Sequence, residues 1–229
     1  MSTVPEFSGF DPEAVALLAE LPGWDAERYE AHKAELIDGV TRPGLALITE
    51  LANRFPHALT VAARSSVSPL HRDLRFAPDG APRYKDHLLL TAWHGADKRT
   101  GPTMWLRVDA AGAGFASGVG FTPAMRERWR AAVGGSAGVT LADELDRLEQ
   151  FHGAEVAGGQ VKRVPRPFEP DHPRSDLLRR TGFQVRLTET HPDHLDRSDY
   201  ADWCLGHWLQ LASVHRWLVD HLAESENPR

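Results

Sequence analysis

The spacing of apolar residues changes twice along this chain, and this change restricts the fold more than any other feature. Up to residue 57 the apolar side chains recur at helical spacing. Between Ala58 and Phe121 the period falls towards two, which is typical of β-strands, and helical spacing dominates after Phe121. Helices on both sides of a block of strands predict an α+β fold: a mostly antiparallel sheet flanked by N-terminal, middle and C-terminal helices.

Capping residues, turns and prolines divide these blocks into elements. A helix is predicted to begin at Asp11-Pro12, and a second one after Trp24, broken near Gly39 and at Pro43-Gly44 and ended by Phe55-Pro56. Strands are predicted at 59–63, 70–76, 84–93, 103–108, 115–121 and 183–187, and later helices at 123–133, 140–151, 175–180 and about 198–222. The proline-rich residues 162–173 are expected to form an extended surface segment.

These elements are expected to form one domain over residues 1–229. Its parts are a helical N-terminal region (1–57), a sheet core (58–121), and a region of helices with the proline-rich segment (122–229). Trp217 lies at the margin of the apolar face of the last helix, where it is a candidate contact in a homodimer.

The bulk charge and the cysteine content exclude several classes of protein. A formal net charge of −6 and a pI of about 6.0 argue against a nucleic-acid-binding protein. No apolar run approaches the roughly 18 residues that span a bilayer, and no signal peptide is visible, so we expect no membrane partner. A single cysteine, Cys204, excludes an internal disulfide and fits a reducing compartment. We therefore expect a cytoplasmic location.

One segment differs in charge from the rest of the chain. Residues 64–107 contain eight basic and four acidic side chains, within a chain that is acidic overall. If 70–76 and 84–93 form a hairpin around Gly80, Arg75 lies opposite Lys85 and Asp73 lies opposite His87. Like charges in opposite positions destabilise a sheet, unless a nearby carboxylate or a ligand supplies negative charge. The segment therefore predicts a site for a small anion, a phosphate or a carboxylate.

Two hypotheses account for this cluster. In the first, the protein is an enzyme in which Asp73, His71 and His87 transfer protons. The ligand would then be bound by two groups of side chains, Arg72, Arg75, Arg83, Tyr84 and Lys85, and Lys162, Arg163 and Arg166. In the second, the protein is a non-catalytic binding or assembly module, and the Arg/Asp cluster is a structural ion-pair network. The sequence identifies neither a reaction nor a cofactor.

Two groups of residues also resemble metal sites, but these resemblances are weaker. His71-x-Asp73 has the spacing of two ligands of non-heme iron, with His152 or His207 as a third ligand. His191 and His194 resemble a metal-binding pair, but a turn rich in histidine before a helix is more often incidental. We assign no residue to a metal.

The central segment also resembles a known family. Domain-of-unknown-function family 2461 has the signature Arg-x-x-Arg-Asp-x-Arg-Phe followed by Asp-Lys-x-Pro-Tyr-Lys, which is similar to Arg72-Asp73-x-Arg75-Phe76 followed by Asp79, Pro82, Tyr84 and Lys85. Residues 7–10, 105–120, 162–166 and 171–173 are similar as well. The chain departs from the signature at Pro69, Gly80, Arg83 and Pro167. The resemblance implies a shared fold and a shared polar cluster, and it implies no activity.

Overall fold

Five antiparallel strands form one sheet at the centre of the molecule. The computed structural model describes residues 6–223, apart from the side chain of Phe76. The strand order is β1-β2-β3-β5-β4. The strands are β1 (His87–Trp93), β2 (Thr103–Asp109), β3 (Gly112–Gly120), β4 (Glu155–Ala157) and β5 (Gly182–Thr190). Together with the helices around it, this sheet confirms the predicted α+β fold.

Along the chain, helices come before the strands, between them and after them. They are α1 (Pro12–Leu17), α2 (Ala26–Leu36), α3 (Arg42–Arg54), α4 (Ala63–Ser66), α5 (Pro123–Gly134), α6 (Ser136–His152), α7 (Ser175–Leu178), α8 (Tyr200–Gln210) and α9 (Ala212–Leu222). The Asp11 carboxylate accepts from the backbone N–H of Glu13 at the start of α1, and Thr122 accepts from Met125 at the start of α5. None of the helices in the described residues is long and apolar enough to cross a membrane.

The helices cover one face of the sheet. The apolar side chains that point to this face are fully buried, and they include Leu90, Leu106, Phe115 and Val185. Helix α3 packs on β1, and α8 and α9 pack on β3. The other face carries Trp105, Ala116 and their neighbours and is partly open.

Glycines allow close packing at the two places where sequence analysis expected helix breaks. A Cβ at Gly39 would lie 2.5 Å from Ala14 of α1, and one at Gly44 would lie 2.6 Å from Leu88 of β1. Gly39 lies in a π-helical turn, Ile37–Thr41, that joins α2 to α3. Pro43-Gly44 is not a break, because it lies in the first turn of α3, where proline is tolerated.

Two predicted strands are wrong. Residues 59–63 and 70–76 contribute only isolated bridges, Thr60 with Trp93 and His71 with Tyr84. Within 70–76 the Asp73 carboxylate accepts from the backbone N–H of Arg75 and begins a short 3₁₀ turn, Leu74–Phe76. A side chain that binds its own backbone in this way competes with the hydrogen bonds of a sheet.

The C-terminal half contains further differences from the prediction. The last predicted helix is divided at Leu211, whose N–H donates to the Trp208 carbonyl three residues earlier. Helix α6 begins at Ser136 rather than at residue 140, and β4 was not predicted. Trp217 is buried and its indole N–H donates to the Ala137 carbonyl, so it does not support a homodimer. The predicted absence of a signal peptide concerns a terminus whose residues 1–5 lie outside the described residues.

Candidate functional site

The segment from Leu70 to Lys85 forms a short, irregular antiparallel ladder. The Arg72 N–H donates to the Arg83 carbonyl and the Lys85 N–H donates to the Leu70 carbonyl, both at 2.8 Å. These two bonds flank the bridge between His71 and Tyr84. The predicted register, with Arg75 opposite Lys85, is therefore wrong, because the ladder pairs Arg72 with Arg83.

Aromatic rings hold this ladder to helix α2. Tyr84 is 2% exposed and stacks on Tyr29, with 4.4 Å between ring centroids and 5° between ring planes. His71 packs edge-on against both rings, at 4.7 Å from Tyr29 and 4.9 Å from Tyr84. His71 and Tyr84 thus share the side of the ladder that faces α2, where Tyr84 is buried and His71 is exposed.

Three cations lie on the other side of the ladder. Side chains alternate between the two sides, so Arg72, Arg83 and Lys85 point away from the His71–Tyr84 pair. We call these three residues the cation face. Arg72 Nε donates to the Pro82 carbonyl at 3.2 Å, and Lys85 Nζ donates to the Pro69 carbonyl at 2.7 Å. Within the described residues, no carboxylate oxygen lies within 4.0 Å of a charged nitrogen of the cation face.

The proximity of these cations changes the pKa of Lys85. Partial burial, followed by the positive charge of Arg72, lowers the pKa of the Lys85 ammonium group. Both causes disfavour the charged form, since burial removes water and Arg72 repels the proton. Negative charge placed beside Lys85 and Arg72 would favour the charged form and so oppose both effects.

Asp73 and Arg75 form a separate pair on the surface. Arg75 Nε and Nη2 donate to the two carboxylate oxygens of Asp73 at 2.9 and 2.8 Å. Hydrogen bonding from Arg75 lowers the pKa of the Asp73 carboxyl group. The pair is two residues apart in sequence, and both side chains are exposed.

His87 lies in another cluster, at the start of β1. Its Nδ1 is 2.6 Å from Asp86 Oδ1, and its strand partner is Asp109 rather than Asp73. Arg107 Nη2 is 3.1 Å from Asp109 Oδ2 and 3.4 Å from Asp86 Oδ1. The hydrogen bond with His87 is the main cause that lowers the pKa of Asp86. The structure therefore does not bring Asp73, His71 and His87 together as one proton-transfer group.

The second basic group is exposed. Lys162, Arg163 and Arg166 lie in the extended connection between β4 and α7, and no ion pair or side-chain hydrogen bond joins them to another described residue. Their role in ligand binding remains a prediction. The nearby Arg174 has a structural role, because its guanidinium donates to the carbonyls of Val133 and Gly134 at the end of α5.

Three of the residues whose spacing resembles a metal site, His71, Asp73 and His191, have other partners. His71 packs on tyrosine rings while Asp73 pairs with Arg75, and His191 bridges the Asp109 carbonyl and the Tyr200 hydroxyl at 2.8 and 3.1 Å. Over residues 6–223, no group of three or more histidine, cysteine, aspartate or glutamate side chains is arranged to hold a metal ion.

Sequence reasoning missed Tyr29, which holds the ladder in place. It is one aromatic residue in a helix whose other side chains are mostly polar, and it is 8% exposed. A single buried ring on a polar helix is the one signal that could have indicated a contact with a distant segment. Nothing in the local sequence indicates that this contact is Tyr84.

Comparison with known proteins gives one match. The model of the family described as "Conserved hypothetical protein (DUF2461)" matches residues 25–217. The matched range includes Tyr29, the cation face and the second basic group. No curated protein and no solved structure matches the chain.

Proposed function

Because the chain belongs to the DUF2461 family, whose description gives no activity, we propose a function from the site geometry: the protein binds a small anion with two or more negative charges through Arg72, Arg83 and Lys85. The ligand would be a phosphate or a carboxylate compound. The observation that carries this proposal is that three cations share one side of a short ladder and none has a carboxylate within 4.0 Å in the described part of the chain.

The free donors of the cation face suit such a ligand. A guanidinium group has five N–H donors and an ammonium group has three. Arg72 and Lys85 each use one nitrogen on a backbone carbonyl, which fixes the side chain. The remaining donors are positioned before the ligand arrives, so less side-chain entropy is lost on binding. Two arginines and a lysine also match the planar and point-like recognition of phosphate and carboxylate oxygens.

The alternative, a structural ion-pair network, has less support from the geometry. Asp73 and Arg75 are only two residues apart and both are exposed, and an exposed ion pair of this kind contributes little to stability. The contact that attaches the segment to α2 is aromatic, through Tyr29 and Tyr84. Since His71 also packs on these rings, the proposal is one of binding and includes no proton-transfer step.

Isothermal titration calorimetry with pyrophosphate and citrate tests the proposal. We expect saturable binding to the wild-type protein, and at least tenfold weaker binding to Arg72→Gln and to Lys85→Gln, because a hydrogen bond to a charged group contributes about 1.5–3 kcal/mol. Arg99→Gln is the matched control, since Arg99 is an exposed arginine in another turn that pairs with Asp97. Equal affinities for all four proteins, or no saturable binding to the wild type, would contradict the proposal.

A further inference from the structure

The three charges of the cation face belong to two different rungs of the ladder. Arg72 lies opposite Arg83 in one rung, and Lys85 lies opposite Leu70 in the other. A further rung separates them, so the two are two residues, or roughly 7 Å, apart along the ladder. The backbone thus divides the cations into an arginine pair and a single lysine.

The side chains of Arg72 and Lys85 are held in directions that keep these charges apart. Arg72 Nε donates to the carbonyl of Pro82, which lies beyond the arginine rung on the side away from Lys85. Lys85 Nζ donates to the carbonyl of Pro69, which lies beyond the lysine rung on the side away from Arg72. A single anionic group shared by both would have to lie between the rungs, from which both side chains are turned away. The cation face therefore offers two subsites, one at each rung.

The arginine subsite, Arg72 and Arg83, suits a phosphate group. Side chains opposite each other in a rung have Cβ atoms about 5 Å apart, and like charges in such positions repel. A phosphate group with nearly two negative charges opposes this repulsion at both arginines. Its several oxygens also match two planar guanidinium groups, each of which donates in parallel directions.

The lysine subsite suits a carboxylate group. Lys85 is half-buried and contributes one positive charge, and only one of its three N–H donors is needed for the Pro69 carbonyl. A doubly charged phosphate beside it would leave a negative charge without a partner in a partly buried place, which is costly. A carboxylate carries one charge and accepts the remaining donors.

The aspartates that adjoin the two subsites in sequence do not fill them. Asp73 accepts from Nε and Nη2 of Arg75 at 2.9 and 2.8 Å. Asp86 Oδ1 is 2.6 Å from His87 Nδ1. Neither carboxylate comes within 4.0 Å of a charged nitrogen of the cation face. Both subsites therefore remain open to a ligand.

We propose that the ligand of the cation face is a short molecule with a phosphate group at one end, bound by the arginine subsite, and a carboxylate group at the other, bound by Lys85. This inference rests on the proposed function, because it names the class of the same ligand. The charges of such a molecule, about three in total, balance the three cations.

Isothermal titration calorimetry with three related probes tests this inference. 4-Phosphonobutyrate carries both groups at the ends of one chain. Butylphosphonate has the same phosphonate and the same chain length but no carboxylate, and glutarate has a carboxylate in place of the phosphonate. We expect 4-phosphonobutyrate to bind the wild-type protein at least tenfold more tightly than either of the others, because each of them lacks one charged contact.

Variants of single cations assign the two groups of the probe to the two subsites. Lys85→Gln should weaken 4-phosphonobutyrate at least tenfold and leave butylphosphonate within about twofold of the wild type, whereas Arg72→Gln should weaken both at least tenfold. Lys98→Gln is the matched control and should change neither affinity. Lys98 Nζ also donates to a backbone carbonyl at 2.7 Å, that of Ser65, but it lies outside the cation face.

Pyrophosphate binding separates a failure of this inference from a failure of the proposed function. If pyrophosphate binds but 4-phosphonobutyrate is no tighter than butylphosphonate or glutarate, the inference is overturned and the proposed function stands. Equal loss of 4-phosphonobutyrate and butylphosphonate in Lys85→Gln has the same meaning. If neither pyrophosphate nor any of the three probes binds saturably, both are overturned.

Discussion

Tyr84→Ala is expected to lower the free energy of unfolding by about 3–5 kcal/mol, as is typical when a buried aromatic ring is removed. Tyr84 is 2% exposed, stacks on Tyr29 and contacts His71. Without this ring the ladder loses its attachment to α2, so anion binding through Arg72 and Lys85 should also be lost. Urea denaturation followed by circular dichroism measures the first effect, and pyrophosphate titration measures the second.

The control for this substitution is Tyr84→Phe, which keeps the ring and removes only the hydroxyl group. We expect it to change the free energy of unfolding by less than about 1.5 kcal/mol and to keep pyrophosphate binding. If Tyr84→Ala were as stable as Tyr84→Phe and bound pyrophosphate equally well, the ring would not be the anchor of the cation face.

The stability of the protein should also fall in acid because of His215. This residue of α9 is fully buried against β3, where its Nδ1 is 3.2 Å from the Ser117 hydroxyl oxygen and its Nε2 has no partner in the described structure. Burial, followed by the nearby His57 and His94, lowers the pKa of His215 to about 3, from an ordinary value of about 6.5. The folded protein therefore holds His215 in its neutral form.

The direction of the pH effect follows from this shift. Between about pH 6.5 and pH 3 the unfolded chain binds a proton at His215 that the folded chain excludes, so stability is fully present above pH 6.5 and falls with decreasing pH. The expected slope is about 1.4 kcal/mol per pH unit, the free energy of one pKa unit. Urea denaturation from pH 7.5 to pH 4 measures it.

His215→Gln separates this effect from the titration of other groups. The variant should be less stable than the wild type at pH 7.5, because the buried site loses a packed ring, but the difference should shrink towards pH 4. His194→Gln, which replaces a half-buried histidine that lies away from Ser117, should keep the wild-type slope. A constant difference between His215→Gln and the wild type would show that His215 does not cause the slope.

Parts of the sheet are predictable from sequence because their signals are local. The hairpin of β2 and β3 follows from alternating apolar residues on both sides of a turn, and the Asp109 carboxylate supports this turn by accepting from the N–H groups of Ala111 and Gly112. Residues 70–76 show similar alternation, yet they form no strand, and the Asp73 carboxylate accepts from the backbone N–H of Arg75 instead. Alternation indicates a strand only where no side chain offers the backbone another partner.

The candidate sites depend on contacts that no local pattern contains. The sequence indicates an excess of basic residues between residues 64 and 107. It does not indicate that Tyr84 stacks on Tyr29 or that Tyr84 pairs with His71 in the ladder. Likewise, the sequence shows that Gly114 and Ala116 of β3 are small, but it does not show that the pairing of β3 with β5 places Arg186 beside Ala116. Such long-range pairing becomes visible only in the folded chain.

The pKa of Lys85, measured by NMR of its side-chain ammonium group, tests the central claim most directly. In the free protein we expect this pKa to lie below the ordinary lysine value, because of partial burial and the charge of Arg72. Saturating pyrophosphate should raise it, since a bound anion stabilises the ammonium form. A Lys85 pKa that stays the same or falls when pyrophosphate is added would contradict the proposal that the cation face binds an anion.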